Sequence, residues 1–114
     1  MNWGSTILKL ANYLRALNDK TRLTILNLLI SSNYCVGGVA RRLEISEAAV
    51  SQHIKVLKEV GFLRETKDSY FTHYHVEKEI LKEIASALIT LSETPSDESH
   101  TCSSYQKERC PLCR

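Results

Sequence analysis

The chain has 114 residues, of which 43% are hydrophobic and 25% are charged, and its formal net charge is +2. This length accommodates one globular domain with a modest core and leaves no room for a second one. Because the net charge is small, any affinity for nucleic acid must come from a local arrangement of side chains rather than from a polybasic surface.

The N-terminal segment has the features of neither a signal peptide nor a membrane anchor. Lys9 and Asn12 interrupt its apolar residues, and it lacks a basic start followed by a long apolar run. No segment of the chain approaches the roughly 20 apolar residues that span a bilayer. We therefore expect a cytoplasmic protein without a membrane partner, in which cysteines are more often metal ligands or redox sensors than structural disulfides.

Apolar residues at helical spacing predict two helices in the first third of the chain. Residues 5–17 carry an apolar line with the 3.6-residue period of a helix, formed by Ile7, Ala11 and Leu14 with Leu10 and Leu17 beside it. Trp3 extends this line if the helix starts early. Asn18 or Asp19 can cap the next helix, residues 20–31, which is apolar on most sides and is therefore expected to be buried.

A helix-turn-helix is predicted in the middle of the chain. Residues 36–43 form a short helix, weakened by two glycines that each cost a helix interior about 1 kcal/mol relative to alanine. The three-residue break EIS follows, and its serine, Ser46, caps a second helix over residues 47–60 that ends at Gly61. A short helix, a tight break and a helix with an exposed polar face are typical of this motif.

A β-hairpin and a final helix complete the predicted domain. The segments FLRET and YFTHYHV are rich in aromatic and β-branched residues around the turn-forming KDS, which predicts two strands. From Glu77 to Leu91 a narrow apolar line predicts an amphipathic helix, formed by Ile80, Ile84, Leu88 and Leu91 with Leu81 and Ala87 at its margins.

The predicted fold class is therefore mainly α with a small β-hairpin, a winged helix-turn-helix of element order ααααββα. This domain covers residues 1–93. Residues 94–114 contain proline and small polar residues with little to bury, and we expect them to form a flexible tail that carries cysteines.

One side of the helix over residues 47–60 has the chemistry of a DNA-reading surface. Its packed side is defined by Val50, Ile54 and Leu57. The first two turns of a recognition helix approach the bases, and a glutamine amide can make a bidentate contact to adenine. Lysine suits a phosphate contact. The predicted base readers are Glu47, Ala48, Ser51 and Gln52. Lys55 is the predicted phosphate contact.

Several further residues are assigned by their position beside this surface. Arg64 and Lys67, beside the hairpin turn, are expected to reach the adjacent DNA backbone or minor groove. His53 lies closer to the packed side than to the exposed side, so we interpret it first as a structural histidine and second as a phosphate contact. His73 and His75 share one face of the second strand and could chelate a metal, but a pair facing solvent or DNA is favoured.

The strings ALNDKTRLTILNLL and VSQHIKVLKEVGFL, with the hairpin that follows them, resemble the ArsR/SmtB family of winged-helix metalloregulators. The resemblance covers roughly residues 8–92, and its most specific part runs from Ser51 to Phe62. It implies a dimeric repressor that leaves its operator when a metal or metalloid ion binds. It also implies that the first and last helices form the dimer interface and that the double-stranded DNA operator is palindromic.

The resemblance also allows two metal sites of the family to be compared with this chain. The site on the third helix uses a CVCD string, and here CVGG keeps Cys35 but places Gly37 and Gly38 where the second thiol and the acid would be. The zinc site on the last helix uses Asp and His pairs, which EKEILKEIASALITL lacks. The remaining candidate ligands are the thiolates of Cys35, Cys102, Cys110 and Cys113.

Three or four thiolates would bind a soft ion, and the sequence leaves open whether this is As(III), Cd(II), Pb(II), Zn(II) or Cu(I). His100 is a substitute ligand, and the site can lie within one protomer or between two. The alternative function is redox sensing, in which Cys110 and Cys113, or Cys102 and one of these two, form a disulfide. A thiol-redox enzyme is disfavoured, because its CxxC pair would begin a helix in a βαβ fold.

Overall fold

A computed structural model describes residues 3–68 and 70–96, with side chains described from residue 6 onward. In chain order this part of the protein contains α1 (Trp3–Leu17), α2 (Lys20–Ser31), α3 (Val36–Leu43), α4 (Glu47–Val60), β1 (Leu63–Asp68), β2 (Phe71–Val76) and α5 (Lys78–Glu93). The predicted element order is confirmed. Most of the predicted tail lies outside the described residues. Among the helices described, none is long and apolar enough to cross a membrane.

Asp19 forms the corner between α1 and α2. Its carboxylate accepts a hydrogen bond from the backbone N–H of Arg22 at 3.1 Å, which satisfies one of the free donors at the start of α2. This donation is the main reason why the pKa of Asp19 lies below its ordinary value. Of the two caps that the sequence allowed, Asn18 and Asp19, the structure therefore selects Asp19.

The helix-turn-helix consists of α3 and α4, and both helices begin and end where the sequence predicted. Cys35 is the N-cap of α3, and Glu44 ends this helix in a left-handed conformation with φ of 57°. The hydroxyl of Ser46 accepts from the N–H of Ala49 at 3.1 Å and starts α4. Gly61, with φ of 100°, ends α4 in a conformation that residues with a Cβ rarely adopt.

The core lies where α2, α3 and α4 meet the base of the hairpin. The packed side predicted for α4 is buried, as expected. Phe62 contacts Tyr13 of α1 edge-on, with 5.6 Å between the ring centroids. A Cβ on Gly61 would lie 3.3 Å from Cδ1 of Ile80, so this side chain of α5 reaches the end of α4. The largest fully buried side chains are those of Phe62, Ile25, Leu57, Val39 and Val50.

Part of the apolar lines predicted on α1 and α5 faces outward in the single chain. On α1, Ile7 and Leu14 are exposed, whereas the core-facing side is formed by Leu10, Tyr13, Ala16 and Leu17. On α5, Leu88 and Leu91 are exposed and Ile84 is buried. The two helices pack on each other, with Lys9 and Glu83 paired at 2.9 Å. We call these exposed apolar side chains the outer face of α1 and α5, and no element within residues 3–68 and 70–96 covers it.

The second helix is buried on fewer sides than its sequence predicted. Ile25, Leu26 and Leu29 are in the core, but Leu23 and Ile30 are exposed. The expectation of a buried helix therefore holds for the sides that pack on α1, α4 and β2, whereas Leu23 and Ile30 lie on a stripe that these elements leave exposed.

The hairpin turns later than predicted. Lys67 and Asp68 belong to β1, where they pair with Thr72 and Phe71, so the turn lies beyond the KD of KDS. Lys67 is close to this turn, but Arg64 is at the other end of β1. Its Nε donates to the carboxylate of Glu77 at 2.9 Å. The prediction that Arg64 lies beside the turn was wrong, because the strand extends two residues further than its composition indicated.

Replacing Ser46 with alanine is expected to reduce the free energy of unfolding by about 1 kcal/mol, because an N–H at the start of α4 would lose its acceptor. Urea unfolding followed by circular dichroism measures this change. Ser46→Asp is the control, since aspartate also caps helices, and it should retain most of the stability. Equal losses in the two variants would show that the cap is unimportant.

Candidate nucleic-acid interface

The side of α4 opposite the core carries the residues predicted to read DNA. Ser51, Gln52 and Lys55 are exposed, and Glu47 and Ala48 are exposed in the first turn. The Ser46 cap and the buried positions of α4 fix the rotation of the helix about its axis. The polar residues therefore form one continuous surface along α4, as a helix entering a major groove requires.

Glu47 lies against α3 as well as at the start of α4. A Cβ on Gly37 would be 2.8 Å from Oε1 of Glu47, so any side chain at position 37 would displace this carboxylate. Sγ of Cys35 lies 4.0 Å from the position that this Cβ on Gly37 would take. The thiol and the carboxylate therefore lie on two sides of Gly37, each within 4.0 Å of the position that its Cβ would take.

A groove of about 320 Å³ separates α4 from β2 and is lined by Ser51, Lys55, Lys58 and Tyr74 among others. Lys58 donates to Glu65 of β1 and so ties the wing to α4. This hydrogen bond raises the pKa of Lys58 and lowers that of Glu65. Burial raises the pKa of the Tyr74 hydroxyl above its ordinary value. Glu59 also lines the groove, so the groups in it that suit contacts to DNA phosphates are the ammonium groups and hydroxyls.

The sequence did not identify four residues that border this surface. Lys58 and Tyr74 enter the groove only because the hairpin docks on α4, and alternation along β2 was the available signal for Tyr74. Arg41 and Arg42 are exposed in the last turn of α3. A basic pair directly before the break of a helix-turn-helix was the signal for these two residues.

The wing contributes further exposed side chains. Lys67 is exposed near the turn, as are Tyr70 and Phe71. His73 and His75 lie on one face of β2, and Nε2 of His75 is 2.6 Å from Oγ1 of Thr66. This face is opposite the one that carries Tyr74, so the two histidines do not line the groove beside α4.

His53 lies at the inner edge of the interface and is half-buried. Nη1 of Arg22 is 3.4 Å from Nδ1 of His53, which links α4 to α2. This contact agrees with a structural role for His53, and a contact to phosphate stays a prediction.

The candidate thiol ligands fall in two parts of the chain. Cys35 is a free, exposed cysteine, and its Sγ accepts from the N–H of Gly38 at 3.4 Å. Cys102, Cys110 and Cys113 lie outside the described residues. Within residues 3–68 and 70–96, no group of three or more His, Cys, Asp or Glu side chains could hold a metal ion. A thiolate site that includes Cys35 would therefore take further ligands from the rest of the chain or from a second protomer.

The fold and this surface define a DNA-binding transcriptional regulator of the winged helix-turn-helix class. The model of a family described as bacterial regulatory protein, arsR family, matches residues 19–65. The chain is 31% identical over 77 residues to the "Uncharacterized HTH-type transcriptional regulator MJ1325" of Methanocaldococcus jannaschii, covering 67% of this chain and 86% of that protein. This chain belongs to the arsR family of bacterial regulatory proteins, as its sequence indicated.

Two further comparisons agree with this assignment. The chain is 32% identical over 75 residues to the "Cadmium resistance transcriptional regulatory protein CadC homolog" of Staphylococcus aureus, covering 65% of this chain and 62% of that protein. The solved structure of an ArsR-like transcriptional regulator from Rhodococcus sp. RHA1 matches with a TM-score of 0.70 at 27% identity, covering 77% of this chain and 83% of that one.

Proposed function

We propose that this protein is a homodimeric, cytoplasmic repressor that binds a palindromic DNA operator and is released from it by a soft metal or metalloid ion bound to cysteine thiolates. The exposed face of α4, fixed between the Ser46 cap and Gly61, is the observation that carries the proposal. This face supplies the base readers and Lys55, and the wing adds Lys67 and the groove residues Lys58 and Tyr74 as phosphate contacts.

The outer face of α1 and α5 supports the dimer. Ile7, Leu14, Leu88 and Leu91 are exposed on two helices that already pack together in one protomer. A second copy would cover the same face by twofold symmetry, because an isologous interface uses one surface patch on both subunits. Two α4 helices related in this way would enter major grooves about 34 Å apart, one helical turn of DNA.

Cys35 supports a link between ligand binding and DNA binding. This exposed thiol is the N-cap of α3, and α3 packs directly on α4. An ion held by Cys35 and by the thiolates at positions 102, 110 and 113 would tie the C-terminal segment to the helix-turn-helix. The candidate ions are As(III), Cd(II), Pb(II) and Zn(II), and the name of the CadC homolog supports a soft metal. Such a repressor needs a coupling free energy of about 1–3 kcal/mol between the two sites.

The DNA-binding part is tested by selection. The purified full-length protein, reduced and with a chelator present, is used to enrich duplexes from a random-sequence pool. We expect enrichment of one palindromic sequence, called here the selected duplex, and a protein dimer on each copy of it. Failure to enrich any sequence would contradict the proposed function.

The ligand part is tested by titrating the complex with Cd(II), As(III) and Zn(II) and measuring affinity for the selected duplex. At least one ion is expected to weaken binding by about 5- to 150-fold. The double variant Cys110→Ser/Cys113→Ser should bind DNA as the unmodified protein does but lose this response, because serine is a poor ligand for soft ions. A response that survives in the double variant would contradict a ligand role for these two cysteines.

Redox sensing is the alternative that the same variants distinguish. Hydrogen peroxide would oxidise two thiols to one disulfide, and the peroxide would be reduced to two molecules of water. If peroxide alone releases the DNA, if dithiothreitol reverses this release and if the three ions have no effect, the protein senses redox state and not a metal ion. Release by an ion under reducing conditions supports the proposal.

A further inference from the structure

Arg22 makes contacts with three separate parts of the helix-turn-helix domain. Its Nε donates to the carbonyl of Ala16 at 2.6 Å and its Nη2 to that of Arg15 at 3.4 Å, both in the last turns of α1. Its Nη1 lies 3.7 Å from the Asp19 carboxylate and 3.4 Å from Nδ1 of His53 on α4. The Arg22 side chain is only 17% exposed. One guanidinium therefore joins the end of α1, the start of α2 and the recognition helix.

The contact with His53 fixes the protonation of the imidazole. Arginine has five N–H donors and no acceptor, so Nδ1 of His53 must accept and must itself carry no proton. A protonated imidazole donates from both nitrogens and would place a second positive charge 3.4 Å from the Arg22 guanidinium. Protonation of His53 therefore removes the link between Arg22 and α4 and replaces it with repulsion.

We propose that Arg22 and His53 are positioning residues for DNA binding, because they hold α4 against the corner between α1 and α2. Protonation of His53 releases α4 from this corner and weakens DNA binding. This inference rests on the proposed function, because α1 belongs to the proposed dimer interface. The angle between α1 and α4 sets the distance between the two recognition helices of a dimer. A loosened α4 would no longer match two grooves at a fixed spacing.

The charged groups around His53 have both signs, and the guanidinium of Arg22 lies 3.4 Å from the imidazole. Among the described residues, the charged side chains in contact with one another here are Arg22 and Asp19. The carbonyl oxygens of residues 15 and 16 on α1 accept from the same guanidinium. Further along the cleft between α1 and α4 lie Arg15, Lys9 and Glu59. The pKa of Asp19 is lowered, chiefly by the N–H of Arg22 and in smaller part by the charge of His53, so the ionised carboxylate attracts a protonated imidazole and opposes its repulsion from Arg22.

The experiment measures affinity for the selected duplex between about pH 8 and about pH 5.5, where histidine changes charge. The chain has four histidines. The background variant His73→Asn/His75→Asn/His100→Asn leaves His53 as the one histidine, and a reductant and a chelator keep thiol chemistry constant. We expect affinity in this background to fall at least about fivefold on acidification.

Two further variants in the same background identify the cause. His53→Asn offers an amide oxygen near the position of Nδ1 and cannot become charged. Whatever its affinity at pH 8, that affinity should vary by less than about twofold across the range. Arg22→Gln removes the repelling charge and should also flatten the pH profile, with folding at each pH checked by circular dichroism.

The opposite sign would overturn the inference. If His53 contacts a phosphate, acidification would strengthen binding and His53→Asn would abolish that gain. Equal pH profiles for the background and for His53→Asn would overturn it as well. Both results differ from failure of the proposed function, in which no duplex is selected at any pH.

Discussion

Replacing Gln52 with alanine is expected to weaken binding to the selected duplex by about 1–3 kcal/mol, or roughly 5- to 150-fold. Gln52 is exposed on the second turn of α4, and an amide there can accept and donate to one adenine at the same time. The loss should be confined to the selected sequence, because a duplex without the matching base offers no such contact. Fluorescence anisotropy with selected and scrambled duplexes measures both affinities.

Lys55→Ala provides the contrast. A lysine on a phosphate carries no sequence information, so its removal should weaken selected and scrambled duplexes alike and reduce the slope of log affinity against log salt by about one. Lys82→Ala on α5 is the matched control for charge, and Asn27→Ala on α2 is the matched control for an exposed amide. Losses in the controls equal to those in Gln52→Ala and Lys55→Ala would contradict the assignment of this face.

Replacing Phe62 with alanine is expected to lower the free energy of unfolding by about 3–5 kcal/mol, a large part of the stability of a small domain. Phe62 is fully buried and contacts Tyr13 edge-on. Its N–H donates to the carbonyl of Leu57 at 2.9 Å, and its carbonyl accepts from the N–H of Glu77 at 2.8 Å. The side chain therefore fills the point where α1, the end of α4 and the wing converge, and a cavity there would affect all of them.

Phe71→Ala is the matched control for this substitution. It removes the same atoms from an exposed ring near the hairpin turn, and it should change the free energy of unfolding by less than about 0.5 kcal/mol. Urea unfolding of the two variants gives both values. Similar losses at positions 62 and 71 would show that burial of Phe62 is not what stabilises the domain.

Local signals explain why the helix-turn-helix could be predicted with its correct bounds. Ser46 and Gly61 act within a few residues of their own position, so the residues next to α4 determine where this helix starts and ends. The buried positions of α4 also follow from helical spacing alone. α3 was predicted correctly despite Gly37, whose missing side chain leaves room for the Glu47 carboxylate.

Features that depend on contacts between distant residues could not be predicted in this way. The contact between Arg22 and His53 joins positions 31 residues apart and appears only when α2 and α4 pack. Arg64 was placed beside the hairpin turn because its charge was visible, whereas its partner Glu77 lies across the hairpin. A contact between Arg64 and DNA stays a prediction. Periodicity on α1 identified apolar residues but not which of them face the core, because Ile7 and Tyr13 are equally compatible with a helix.

The boundaries of α4 have a practical consequence for changing the sequence preference of this regulator. Gly61 adopts a left-handed backbone conformation, and the buried Phe62 follows it directly. The direction in which the wing leaves the recognition helix is therefore set by these two residues and not by the outward-facing side chains of α4. Positions 48, 51, 52 and 55 can therefore be randomised together as an exchangeable module, whereas Glu47 is kept because its carboxylate packs against Gly37 of α3. Variants recovered from such a library should keep the parent's thermal stability while binding new half-sites.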